Sequence, residues 1–145
     1  MGGYMLTATK IEEIMTKNVF TINLDDTVHN ADELMKREKL RFLPVLDGKK
    51  LIGLITERTI MEFTLRNLYD FDDEYGEEGH NKITDFKTIM EKNVIVIYPE
   101  DSVRKAVEKM AKKKVDCLPV VDWKNNLVGI VTSTDIYLFI LNKML

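Results

Sequence analysis

The run Thr132-Ser133-Thr134-Asp135 is the part of this chain whose residue types and spacing could do chemistry. It follows Gly129-Ile130-Val131 and precedes an apolar stretch beginning at Ile136, so it reads as a strand-to-helix junction. Thr132 and Asp135 stand three apart, the spacing at which an N-cap hydroxyl and a carboxylate satisfy the first N–H groups of a helix. A carboxylate also has enough lone pairs to accept hydrogen bonds from two adjacent hydroxyls. A helix N-terminus beside it favours anions. Together these features suit a nucleotide, with ribose on Asp135 and phosphate near the helix start. A capping box without any ligand accounts for the same residues.

No other catalytic or metal-binding pattern emerges. His29 and His80 lack metal-ligand spacing, and no Ser-His-Asp or Cys-His set can be assembled around them. His29 takes the place that Arg104 fills 75 residues on, which marks a surface position. The single cysteine, Cys117, excludes an internal disulfide and a Cys-based zinc site, and its apolar strand reads as the setting of a buried, inert thiol. Asp70, Asp72 and Glu74 alternate as in a calcium loop. However, Tyr75 replaces the required glycine and Asn81 the closing Glu, so a solvated acidic segment is expected there. No metal, no cofactor and no enzymatic activity are expected of the chain.

Charge and hydropathy narrow the setting. Hydrophobic residues make up 45% of the 145 and charged residues 31%, an ordinary balance for a globular protein. Removing the six acids between Asp70 and Glu78 from a net charge of −3 leaves +3 for the rest. That charge is too weak and dispersed for a nucleic-acid footprint. Lys109 and Lys112 to Lys114 suit the last turn of a helix, where cations complement the dipole. No apolar run approaches a membrane span, no secretory signal opens the chain, and Leu6 stands where myristoylation would want Ser or Thr. A cytoplasmic protein without membrane or nucleic-acid partners is the expectation.

The junction is positioned by an internal repeat. Ile14 to Asp47 aligns without a gap on Ile89 to Asp122, with 16 of 34 positions identical, where typical composition would give about two. One extra residue in the turn Trp123 to Asn126 shifts the offset to 76. The match then resumes at Gly53/Gly129, Thr56/Thr132, Ile60/Ile136, Phe63/Phe139 and Leu65/Leu141. Each copy reads as strand, helix, strand, turn, strand, helix. The first strand covers Val19 to Ile22. Asp26-Thr27 caps a helix carrying Val28, Ala31 and Met35 on one face, as Asp101-Ser102 caps one carrying Val103, Ala106, Val107 and Met110. Phe42 to Leu46 and Lys50 to Ile55 flank Asp47-Gly48 as a hairpin, repeated by Leu118 to Asp122 and Leu127 to Val131. Closing helices are expected from Glu57 to Leu68 and from Ser133 to near the C-terminus. Two copies are too few for a solenoid. The expected fold is α/β (α+β), with two β-α-β-β-α repeats packed about a pseudo-twofold axis: 10–68, an acidic linker 69–83, and 84–145.

These two copies resemble a tandem pair of CBS domains, often called a Bateman module. The resemblance rests on Ile14-Met15-Thr16-Lys17-Asn18-Val19, Asp26-Thr27-Val28, Leu43-Pro44-Val45 and Gly53-Leu54-Ile55-Thr56. In the second copy it rests on Ile89-Met90, Val103 through Met110, Leu118-Pro119-Val120-Val121-Asp122 and Gly129 to Ile136. The resemblance implies a regulatory module that binds an adenosine derivative and commonly dimerises into a flat disk. It implies Asp135 as the ribose carboxylate, Thr132 as its hydroxyl partner, and Thr134 within the same motif. It places adenine near Ile95, Val115 and Asp116, and phosphates near Arg41 and Arg58 of the opposite repeat. In the first copy the motif reads Thr56-Glu57-Arg58-Thr59, with Thr in place of Asp, so one nucleoside site per chain is expected. Asp116 would repel phosphates if it pointed inward.

The ligand is expected to be AMP, ADP, ATP, S-adenosylmethionine, NAD or another adenosyl compound. With no effector domain beside the pair, the regulated target is expected to be a separate protein. The alternative is a ligand-independent dimerisation or scaffold module. A homodimer is expected either way, because Ile136, Tyr137, Leu138, Phe139, Ile140 and Leu141 are apolar all round.

Overall fold

The computed structural model describes residues 2–70 and 86–144. It divides into two compact units. The N-repeat unit gathers Phe20–Gly48 and Ile52–Asn93. The C-repeat unit gathers Met1–Val19, Lys49–Leu51 and Val94–Leu145. The mixed helix and strand content agrees with the expected fold class. Most of the acidic linker, with its calcium-loop spacing, lies outside the described residues.

In the N-repeat unit, β1 (Ile22–Asn23) runs parallel to β2 (Phe42–Asp47), and β3 (Lys50–Thr56), which belongs to this unit from Ile52 onward, completes the order β1-β2-β3. Ile22 pairs with Val45 and Asn23 with Leu46. Gly48 turns the hairpin at φ 64°, a conformation that costs glycine little. Between β1 and β2 runs α1 (Val28–Glu38), capped by the Thr27 hydroxyl, which accepts from Asn30 N–H at 3.1 Å. Its C-terminus closes with Lys39 in the left-handed region, donating its N–H to Met35 O. Helix α2 (Glu57–Asp70) follows β3, and the short α3 (Phe86–Ile89) packs against it. Ile22, Val28, Ala31, Met35, Leu43, Val45, Ile55 and Phe86 form the core.

The C-repeat unit repeats this plan. Ser102 caps α4 (Val103–Lys113) by accepting from Lys105 N–H at 3.1 Å, and Lys114 takes the left-handed position that Lys39 takes above. Antiparallel β5 (Leu127–Thr132) pairs with β4 (Cys117–Val121), Pro119 opposite Ile130, with a bulge at Val120/Val121. The inserted residue is accommodated by Asn125 at φ 68°. Cys117 is buried, as its apolar strand implied. Closing helix α5 (Ser133–Phe139) ends in a π-helical turn, Ile140–Met144.

Three features depart from expectation. The first strand is two residues long, and its counterpart shrinks to a single parallel bridge, Ile97 to Val120. Two N-terminal helices pack in the C-repeat unit: Gly2–Ala8, ahead of the first copy, and Ile11–Ile14, the first-copy counterpart of α3 at the offset of 75. At seven and four residues, both are too short to show a helical period. Finally, α5 is not apolar on a free surface all round. Ile136 and Phe139 enter the core with Ile11, Ile97, Val103, Leu118, Val120 and Val131, while Tyr137, Leu138 and Leu141 stay exposed.

Candidate functional site

The β5-to-α5 junction is built by backbone pairing on both sides. Thr16 exchanges both backbone hydrogen bonds with Ile130, each 2.9 Å, which lays the N-terminal segment beside β5. Ser133 N–H donates to Asp116 O at 3.0 Å, which ties the helix start to the segment before β4. Gly129 permits the approach of the N-terminal segment. A Cβ there would meet Met15 Sδ at 2.6 Å and Thr16 O at 3.1 Å.

Asp135 sits at the third position of α5, half-buried, and both carboxylate oxygens are engaged. Oδ2 accepts the Thr132 N–H at 2.9 Å and the Thr132 hydroxyl at 3.2 Å. Oδ1 accepts the Thr16 hydroxyl at 3.1 Å. The Thr132–Asp135 spacing therefore forms the cap expected of it. Beside it lies a cavity of about 180 Å³ lined by Ile14, Asp135, Leu138, Phe139, Asn142 and Lys143. That volume holds a sugar-sized fragment and falls below the ~300 Å³ at which ligand pockets for whole small molecules begin.

The structure gathers part of the expected set. Thr132, Asp135 and the backbone of Asp116 meet at the junction. Ile95 and Val115 are half-buried against the same core that takes in Ile136 and Phe139. Thr134 is exposed on the first turn of α5. Arg41 and Arg58 belong to the N-repeat unit. There Arg41 lies 5.5 Å from the Phe42 ring centroid and its carbonyl accepts from Glu57 N–H at 3.2 Å, while Arg58 pairs with Glu62 at 3.2 Å. Two helix-start amides that a phosphate could use, those of Thr132 and Ser133, already have acceptors.

Thr16, Asn142 and Lys143 escaped sequence reasoning. Asn142 and Lys143 lie about two turns beyond Asp135, where nothing in the sequence marks them. Thr16 is different, because the repeat itself carried a signal: inside an otherwise matching stretch, Thr16 faces Glu91 in the alignment. A position that changes between copies alongside the Asp135/Thr59 change was a candidate for the same site.

The N-repeat junction has the same backbone and other chemistry. Leu54 exchanges both backbone hydrogen bonds with Glu91, at 2.9 and 3.0 Å, as Ile130 does with Thr16. Thr59 is buried, accepts from Thr56 N–H at 2.8 Å and donates to Thr56 O at 2.9 Å. A larger cavity in this unit, about 500 Å³ between α1 and α2, takes in none of the expected site residues.

Such paired strand-helix units with matched junctions define a family. A model described as CBS domain matches residues 11–66 and 85–142, and the chain belongs to the CBS-domain family as a tandem pair. Among solved structures, the CBS domain pair of the protein MJ0100, in complex with 5-methylthioadenosine and S-adenosyl-L-methionine, is 27% identical, with a TM-score of 0.76, and the match covers 93% of this chain and 98% of that one. CBSX2 in complex with AMP is 20% identical with a TM-score of 0.79, covering 95% of this chain and all of the other, a likeness of fold. Among curated proteins, an inosine-5′-monophosphate dehydrogenase of Korarchaeum cryptofilum is 30% identical over 128 residues, 88% of this chain and 24% of that protein. A homoserine O-acetyltransferase of Methanohalobium evestigatum is 30% identical over 132 residues, 90% of this chain and 24% of that protein. The chain thus spans about a quarter of the length of these curated relatives.

Proposed function

We propose that this CBS pair is a non-catalytic regulatory module that senses an adenine nucleotide or another adenosyl compound at the Thr132–Asp135 junction, with one site per chain. The observation that carries this reading is the Asp135 carboxylate, fixed by Thr132 and Thr16 at the edge of a sugar-sized cavity. The adenosyl ligands of the MJ0100 pair support the ligand class. Ile95, Val115 and Asp116 are proposed to face the base. The regulated target is proposed to be a separate protein in the cytoplasm. Among the described residues no helix is long and apolar enough to cross a membrane.

Calorimetric titration with AMP, ATP and S-adenosylmethionine tests the reading. At least one is expected to bind at one equivalent per chain. Asp135→Ala is expected to abolish that binding, and Asp135→Asn to weaken it less, since one acceptor oxygen survives. Losing the cap also costs about 1 kcal/mol of stability, so folding is checked by thermal melting. Wild-type affinity in Asp135→Ala overturns the assignment.

The exposed Tyr137, Leu138 and Leu141 favour the homodimer expected of the family, and would also serve a ligand-independent dimerisation module. Leu138→Asp is the appropriate probe, because Phe139 is only 4% exposed and a charge there would unfold the unit instead. Sedimentation should show a wild-type dimer and a Leu138→Asp monomer. A dimer that binds none of the adenosyl panel would select the scaffold reading.

A further inference from the structure

We propose that the groove between α1 and α2 of the N-repeat unit is a docking site for a short amphipathic helix of a partner protein, one that presents two adjacent apolar side chains. No residue of this groove belongs to the Asp135 junction.

The C-repeat unit shows what such a groove takes. There the helix Gly2–Ala8 lies against α4 and the turn Ile140–Met144. Its Met5 and Leu6 cover the core together with Val107, Met110, Val115 and Ile140. Carried across the repeat, at the offset of 75 and then 76, those last four become Asp32, Met35, Leu40 and Thr64. All four line the N-repeat cavity of about 500 Å³, with Ile60 and Met61 beside them. The cavity is therefore the counterpart of the strip that the helix covers. A helix laid in a groove is read through the apolar side chains of one face, and Met5 with Leu6 is the minimal version of such a face.

The differences between the two strips suit reversible cover. Met35, Leu40 and Ile60 stay apolar in the N-repeat unit, whereas Val107 and Ile140 give way to Asp32 and Thr64. An apolar centre with polar neighbours is the pattern of an interface whose partners also exist apart. Met61, 59% exposed, adds an unbranched thioether that adapts to the shape of whatever covers it. Continued upstream, the offset of 75 sets His80 and Asn81 against Met5 and Leu6. The second copy of the sequence thus carries no apolar pair at that place, and another chain supplies it. A second copy of this protein is a poor donor. It would have to strip Met5 and Leu6 from its own C-repeat core, giving up the burial of both.

The test follows the methionine methyl signals of the isotope-labelled full chain by NMR, because Met35 and Met61 both line the groove. The probe is a peptide with the sequence of Met1–Lys10, held helical by a lactam between Gly3→Glu and Thr7→Lys, two positions exposed on the original helix. Saturable shifts of Met35 and Met61 are expected, and none with the peptide carrying Met5→Asp and Leu6→Asp. Met61→Glu in the protein should weaken the peptide about tenfold, while Met61→Leu keeps it. Met61 is exposed, so both variants are expected to fold, as thermal melting checks. Still signals at Met35 and Met61 up to about 1 mM peptide overturn the proposal, and so does equal binding by Met61→Glu. Shifts confined to Met5 and Met110 would mean that the peptide only exchanges with the resident helix of the C-repeat unit, and also overturn it. Met35 and Met61 signals that move on dilution of the protein alone would assign the groove to a second copy instead.

Discussion

At the C-repeat junction a threonine, a threonine from the N-terminal segment and a carboxylate converge, leaving acceptor capacity on two neighbouring oxygens. At the N-repeat junction Thr56 and Thr59 satisfy each other, and the carboxylate has moved to Glu91 on the incoming strand. The backbones match bond for bond, from the Thr16/Ile130 and Glu91/Leu54 pairs to the helix-start amides held by Asp116 and Arg41. Backbone therefore does not distinguish the two junctions. Their side-chain acceptors do. A second contrast runs the same way. The helix Gly2–Ala8 packs on α4 and the C-terminal turn, and its Met5 and Leu6 cover the same core as Val107, Met110 and Val115. The corresponding groove in the other unit is the 500 Å³ cavity over Met35, Leu40 and Ile60.

The sharpest way to break the comparison is to exchange the acceptor pair. Thr59→Asp with Glu91→Thr should give the N-repeat junction the C-repeat acceptors and raise the stoichiometry of AMP binding from one to two per chain. Unchanged stoichiometry in a folded double variant would show that more than the acceptor pair separates the junctions. A smaller effect is expected at the paired glycines. Gly129→Ala drives a Cβ against Met15 Sδ and, at 3.1 Å, against the Thr16 carbonyl, which is backbone, whereas Gly53→Ala meets Met90 alone, from Sδ down to its Cβ at 3.1 Å. Gly129→Ala should cost about 1–3 kcal/mol in chemical denaturation and weaken AMP binding, with Gly53→Ala the milder of the two. Equal losses would mean that the methionines alone set the cost.

The smallest effect concerns the inserted turn. The Asn126 N–H, with help from the Asn126 side chain and Lys124, holds the Asp122 carboxyl below its ordinary value of 3.8. A group depressed on folding contributes stability above its unfolded value and loses it as pH falls through the folded one. The turn should therefore loosen only below about pH 4. Trp123, the sole tryptophan, lies under Lys124 at 5.0 Å and reports the change by fluorescence. Asp122→Asn should abolish that acid step. A step that persists in the variant would place its origin elsewhere.

Much of this was legible in the sequence because the repeat doubles every signal. Thr27 and Ser102 each announced a helix start, Gly48 announced its turn, and Thr132 with Asp135 announced a cap. What escaped depends on tertiary pairing. The first strands nearly vanish because one or two bridges suffice to attach them, and Thr16 reaches Asp135 across 119 residues of sequence. No local periodicity encodes that meeting. The apolar run of α5 was legible as apolar, but the division between core-facing Ile136 and Phe139 and exposed Tyr137, Leu138 and Leu141 required the packing itself.

The membership of Met1–Val19 in the C-repeat unit bears on the order of folding. The N-repeat unit draws on a stretch of chain ending at Asn93, so its contacts can close while the remainder is still being synthesised. The C-repeat unit cannot be completed until its last strand and helix meet Met1–Val19, a segment made before the N-repeat unit. Closing so long a loop adds little to the final free energy, since each doubling of length costs about 0.6 kcal/mol, but non-local pairing of this kind slows folding. The β5-to-α5 junction is thus the later-forming of the two, and Thr16 waits for Asp135 until the 118 residues between them have been made.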